Sequence, residues 1–168
     1  MFGIKRRKAT EFAIKTSQPI VAQFQNYYGT PPGFWHDPYV LGFIGFLISF
    51  HTTETAGIKL SRSDKGYVLD AALNTLSHSL SGVSQEYLRL ASSNPRIEAF
   101  EKGTDHAFFC VMLNQPKAPK AAIPFYRVAA AKAEADGVGA QAEMVLVYLI
   151  EILFNREVCK RFSLAPIL

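Results

Sequence analysis

Two stretches of this chain are too apolar to lie at a surface and too short to cross a bilayer, and they limit the fold more than anything else in the sequence. Pro38–Phe50 carries no charge, and Met144–Phe154 carries only Glu151. As a helix the longer one reaches about 20 Å, against roughly 30 Å of hydrocarbon in a membrane. A helix that is apolar on almost every side has to be wrapped by other helices. The expected fold is therefore all-α: an irregular five- to six-helix bundle with these two helices at its centre.

Boundary signals divide the rest. A first helix is expected over Thr10–Tyr28, with Pro19 kinking it or marking its true start behind a Ser17 cap. Residues 1–9 are read as a basic, flexible N-terminus. Gly29-Thr30-Pro31-Pro32-Gly33 makes a loop. The second helix opens on Asp37-Pro38, a carboxylate able to accept from first-turn amides followed by a residue that needs no amide hydrogen.

A third helix is expected over Asp64–Ser92, because Leu69, Leu73, Leu76, Leu80, Val83, Tyr87 and Leu90 alternate in steps of four and three. That period is the seam of a long helix, and it passes through Gly82 in register. Asn94-Pro95 opens a fourth helix to Leu113, residues 114–123 form a loop, and Pro124 starts a fifth helix that ends near Asp136. The sixth runs from Ala140 to Phe162, and 163–168 is a tail. No segment alternates as a strand does. The whole, 1–168, reads as one helical domain, which at this length can bury a sufficient core without disulfide or metal.

Composition bears on partners. Apolar residues make up 49% of the chain, with 13 Phe and 7 Tyr, while charged residues make up 19%. That is more apolar material than a monomer needs, so a homo-oligomer, a homodimer first, or a protein partner is expected to cover some of it. The net charge of +4 lies wholly in Lys5, Arg6, Arg7 and Lys8; without them 14 basic residues balance 14 acidic ones. A nucleic-acid domain spreads its basic residues over a face, so no nucleic acid is expected. The tetrad is read as a solvated terminus, with contact to an anionic membrane surface as a lesser alternative. Cys110 and Cys159 have no metal-type spacing and are read as buried reduced thiols of a cytoplasmic protein. Neither a secretory leader nor a transmembrane segment is read.

Candidate chemistry is sparse. Phe34-Trp35-His36-Asp37 places the only tryptophan and a histidine at a helix N-terminus, where free amides could favour an anion or a partner. Trp35 as a packing anchor is the plainer account. Gly42, Gly45, Ser49, Thr52 and Ala56 form a ridge of small residues on the second helix, suited to a close backbone approach or to the floor of a cavity. Trp35, His36, Gly42, Gly45 and Ser49 are therefore the candidate ligand or interface residues.

A metal is the alternative. His51 and Glu54 share a helix face three residues apart, in the reverse order of the Glu-x-x-His used by di-iron bundles. His106 and Cys110 stand four apart, where imidazole and thiolate could share a zinc ion. The plainer reading makes the first pair the point where a buried helix meets water, and the second an ordinary buried cysteine. His78, between Ser77 and Ser79, forms no triad, and no phosphate loop or dinucleotide fingerprint occurs. No cofactor is expected. The sequence leans away from catalysis, toward a helical protein that acts by self-association or by binding a protein. A bundle holding a small apolar ligand or a metal ion, with an enzyme as one form of it, stands as the alternative.

Overall fold

The structure, a computed structural model, describes residues 2–54, 58–113, 115 and 117–165, leaving aside the side chains of Phe2 and Glu54. Among the described residues every regular element is helical, and there is no strand. The elements are α1 (Phe2–Tyr28), a 3-10 turn (Phe34–His36), α2 (Pro38–Glu54), α3 (Arg62–Leu76), α4 (Val83–Ala91), α5 (Glu98–Met112), a second 3-10 turn (Lys120–Ala122), α6 (Ile123–Ala135), α7 (Ala142–Ile150), a π-helical turn (Glu151–Asn155) and α8 (Arg156–Arg161). The last three follow one another without a break, so the described residues make seven helical rods, not five or six. None among the described residues is long and apolar enough to cross a membrane. The chain's contacts group into two compact units, 1–104 and 105–168, divided inside α5.

In the first unit α1 packs on α2 and α3. Its inward line is Ala9, Ala13, Ser17, Val21 and Phe24, all buried. The repeat of four keeps these residues on one side, and the short side chains allow a close approach. The basic start is part of α1. Arg6 Nε donates to Asp64 Oδ1, and its guanidinium lies 5.3 Å from the centre of the Tyr67 ring, so partners on α3 hold the first turns helical. Pro19 does not start the helix. It sits on the exposed side, where the Lys15 carbonyl that has lost its amide partner can turn to water.

α2 buries Tyr39, Val40, Leu41, Phe43, Ile44, Leu47 and Ile48, as its lack of a polar face requires. Asp37 caps it: the amides of Tyr39 and Val40 donate to Asp37 Oδ1 at 2.9 and 3.2 Å.

The long third helix is two helices. α3 begins on a capping box in which the Asp64 amide donates to the Ser61 hydroxyl and the Ser61 amide to the Asp64 carboxylate. It ends at Leu76, where His78 and Ser79 take left-handed backbone angles and the Ser79 amide returns to the Asn74 carbonyl at 2.7 Å. That wrap satisfies the last carbonyls of the helix as a Schellman turn does. Gly82, at φ 85°, then starts α4. The glycine read as tolerated inside one helix is the hinge between two, and Leu80, counted in the seam, is exposed.

In the second unit α6 packs on α7 through Ala129 and Ala133. Tyr148 on α7 donates to Asp136 Oδ2 at 2.6 Å. The second apolar helix buries Val145, Leu149, Ile150, Leu153, Phe154 and Val158. Its boundaries, like those of α5 and α6, fall close to those read from the sequence, although α5 begins at Glu98 and not on Asn94-Pro95.

Candidate functional site

The loop before α2 works as an anchor. Gly33, at φ 83°, turns the chain into the 3-10 turn, which buries Phe34 and Trp35. Phe34 stacks on Phe24 at 5.3 Å and meets the edge of Trp35 at 5.2 Å. The amides that could have taken an anion are bonded to Asp37. His36 is exposed, and its Nε2 lies 3.7 Å from where a β-carbon on Gly82 would stand. Nearby, Glu86 is held below the ordinary carboxylate range chiefly by its two bonds from Arg89 at 2.8 and 2.7 Å, against the opposing effect of burial.

The small-residue ridge of α2 is packing surface along its described length. A β-carbon on Gly42 would stand 2.2 Å from the Phe100 carbonyl oxygen, and one on Gly103 2.2 Å from the Tyr39 carbonyl oxygen. The two glycines let α2 and the first turns of α5 touch backbone to backbone. The Thr104 hydroxyl donates to Phe100 O at 3.1 Å and lies 3.5 Å from Gly42 O. Gly45 lies beneath the Tyr87 ring, and the Tyr87 hydroxyl is hydrogen-bonded to Ser49. Burial pushes the Tyr87 phenol up, and the Ser49 bond pulls it partly back. Thr52 returns its hydroxyl to Ile48 O at 2.7 Å. Ala56 lies outside the described residues.

Of the metal candidates, His51 is partly exposed and packs edge-on to Phe50 and Phe12, at 5.6 and 6.0 Å. The Glu54 side chain lies outside the described residues. His106 Nδ1 is 3.3 Å from Leu153 O. A carbonyl only accepts, so this bond requires the proton on Nδ1. The His106 ring also packs against Phe109 and Phe125. Cys110 is buried, and burial pushes its thiol up to about 12, so at neutral pH it is protonated. Among the described residues no three His, Cys, Asp or Glu side chains gather around one point. His78 lies exposed in the turn after α3.

The most unusual polar feature is the π-helical turn. Arg156 N–H donates to Glu151 O five residues back, a wider turn than the α-helix allows. Both polar side chains of the turn are buried, Glu151 at 3% exposed and Asn155 at 0%. Asn155 Nδ2 donates to Glu151 Oε2 at 2.6 Å. Glu151 Oε1 faces Arg156 Nε at 3.8 Å, within ion-pair range but beyond a hydrogen bond. Asn155 Oδ1 accepts from no group among the described residues. A charge breaking an apolar run, with Asn four residues on, was the signal in the sequence; nothing in it signalled the π turn that seats both.

No protein family, no curated protein and no solved structure matches this chain.

Proposed function

We propose that this chain is a non-catalytic helical protein that acts by self-association, or by binding another protein through the same kind of surface. What supports the reading is that the groups offering chemistry are already engaged in holding the fold. Gly42 and Gly45 are covered by Phe100 and Tyr87, His106 is bonded to Leu153 O, and Cys110 is kept protonated by burial. The surface, meanwhile, retains large apolar side chains, with Tyr27, Leu88 and Val128 each more than half exposed. Such positions are where protein contacts gain energy.

Sedimentation equilibrium of the full chain tests this. The weight-average mass is expected to rise with concentration, and a mass that stays at the monomer value into the millimolar range overturns self-association.

One observation favours a second reading, a helical unit that holds a small ligand or a metal ion. The π-helical turn buries acceptor oxygens that the described residues do not fully satisfy, and π turns are frequent at functional sites. Native mass spectrometry with metal analysis separates the two: a stoichiometric non-protein mass favours this second reading, and a bare chain favours the first.

A further inference from the structure

The outward face of α6 bears on which surface such an association would use, and the inference rests on the self-association proposed above. The helix turns Ala129 and Ala133 inward, both fully buried. On the opposite side Pro124, Val128, Ala131 and Ala135 follow at steps of four, three and four, all exposed and all without charge. The outward face of a surface helix is ordinarily its charged face. Here the charges stand at the edge. Arg127 and Glu134 are seven residues apart, which sets them along the same side of the apolar line. Both are exposed, and neither side chain has a hydrogen bond or an ion pair among the described residues.

We propose that two copies of this chain pair through α6, antiparallel, about a two-fold axis passing between Ala130 and Ala131. That operation sets Arg127 opposite Glu134 of the partner subunit, and it does so twice, since an isologous contact repeats itself. A parallel pairing, about an axis along the helices, would instead carry the charged edge to the opposite flank of the partner and leave the charges unpaired. The line also carries no net charge, which suits neither an anionic membrane nor a strongly acidic or basic partner. Short side chains let the helix axes approach to about 8 Å. The contact is about 20 Å long, and a face this narrow buries less than the roughly 1,200 Å2 of a permanent interface, so the pairing is weak and reversible.

The test is sedimentation equilibrium at low salt on the full-length wild type, on Arg127→Glu, on Glu134→Arg, on their equimolar mixture and on the double exchange. Circular dichroism confirms that these surface variants fold. Each single variant puts like charges together twice and is expected to weaken association about tenfold. The mixture and the double exchange restore opposite charges and are expected to recover it. If the wild type associates but the single variants associate equally well, or the mixture fails to recover, the α6 pairing is wrong while self-association through another face stands. A wild type that stays monomeric overturns both.

Discussion

The Tyr87 ring lies so close over Gly45 that a β-carbon there would stand 2.1 Å from the ring's Cε2. The ring is held from its other sides, by Phe100 at 5.6 Å between centroids and by the hydroxyl bond to Ser49. Gly45→Ala is therefore expected to displace Tyr87 and to cost about 1–3 kcal/mol, the usual range for overpacking. In a Tyr87→Leu background the same change should cost clearly less. Equal costs in both backgrounds, read from denaturant midpoints, would show that the ring is not what excludes a side chain at 45.

Gly42→Ala meets the Phe100 carbonyl oxygen, part of the backbone, which cannot rotate aside. It is expected to destabilise more than Gly45→Ala, and no single side-chain truncation should relieve it. A variant that melts with the wild type would count against direct backbone contact between α2 and α5.

Gly82 has space around it, with His36 Nε2 the nearest atom at 3.7 Å, but sits at φ 85°. Gly82→Ala should cost about 1–2 kcal/mol from backbone conformation alone, and Gly82→Asn, which tolerates left-handed angles, should cost less. If α3 and α4 were one helix, Gly82→Ala would instead stabilise it.

The Cys110 thiol titrates near 9 when unfolded and near 12 in the folded chain. Between those values the unfolded state has lost a proton that the native state keeps. The native state binds more protons there, so stability falls as pH rises, by up to about 1.4 kcal/mol per pH unit. Cys110→Ala should remove that slope. A thiol reagent at pH 8 should leave Cys110 unmodified until the chain unfolds, and prompt native-state labelling would contradict its burial.

Asp64 has the opposite sign. Its bonds to Ser61 and Arg6 hold its carboxyl below the ordinary value of 3.8. Its stabilising effect is complete above that value and is lost as pH falls through the lower folded one. Asp64→Asn should lower the melting temperature at pH 7 and flatten the acid limb below about pH 4. An unchanged acid limb would remove Asp64 from that account.

At the π turn, Asn155→Ala takes the donor from a buried carboxylate and should cost about 1–3 kcal/mol. The double change Glu151→Leu with Asn155→Leu removes both polar groups and should cost less, because nothing polar is left stranded. A double variant as damaged as the single one would point to a requirement for the pair beyond stability.

What the sequence determined alone is what depends on neighbours along the chain. The Asp37-Pro38 start of α2 is legible because a cap bonds to amides two and three residues ahead. The apolar runs of α2 and of the Ala142–Arg161 rod are legible because no helix exposes such a surface alone. Only the tertiary structure decided where distant groups compete with local pattern. α1 reaches back to Phe2 because Arg6 finds Asp64, 58 residues away. The leucine seam parts at Ser77–Gly82 because the turn closes its own carbonyls and leaves Leu80 in water. The small-residue ridge favoured a close contact and left a cavity as the alternative, and Phe100 and Tyr87, partners from other helices, decided for contact. Glu151 and Asn155 could be placed on one side of a helix by spacing, but their joint burial in a widened turn is a property of what packs around them.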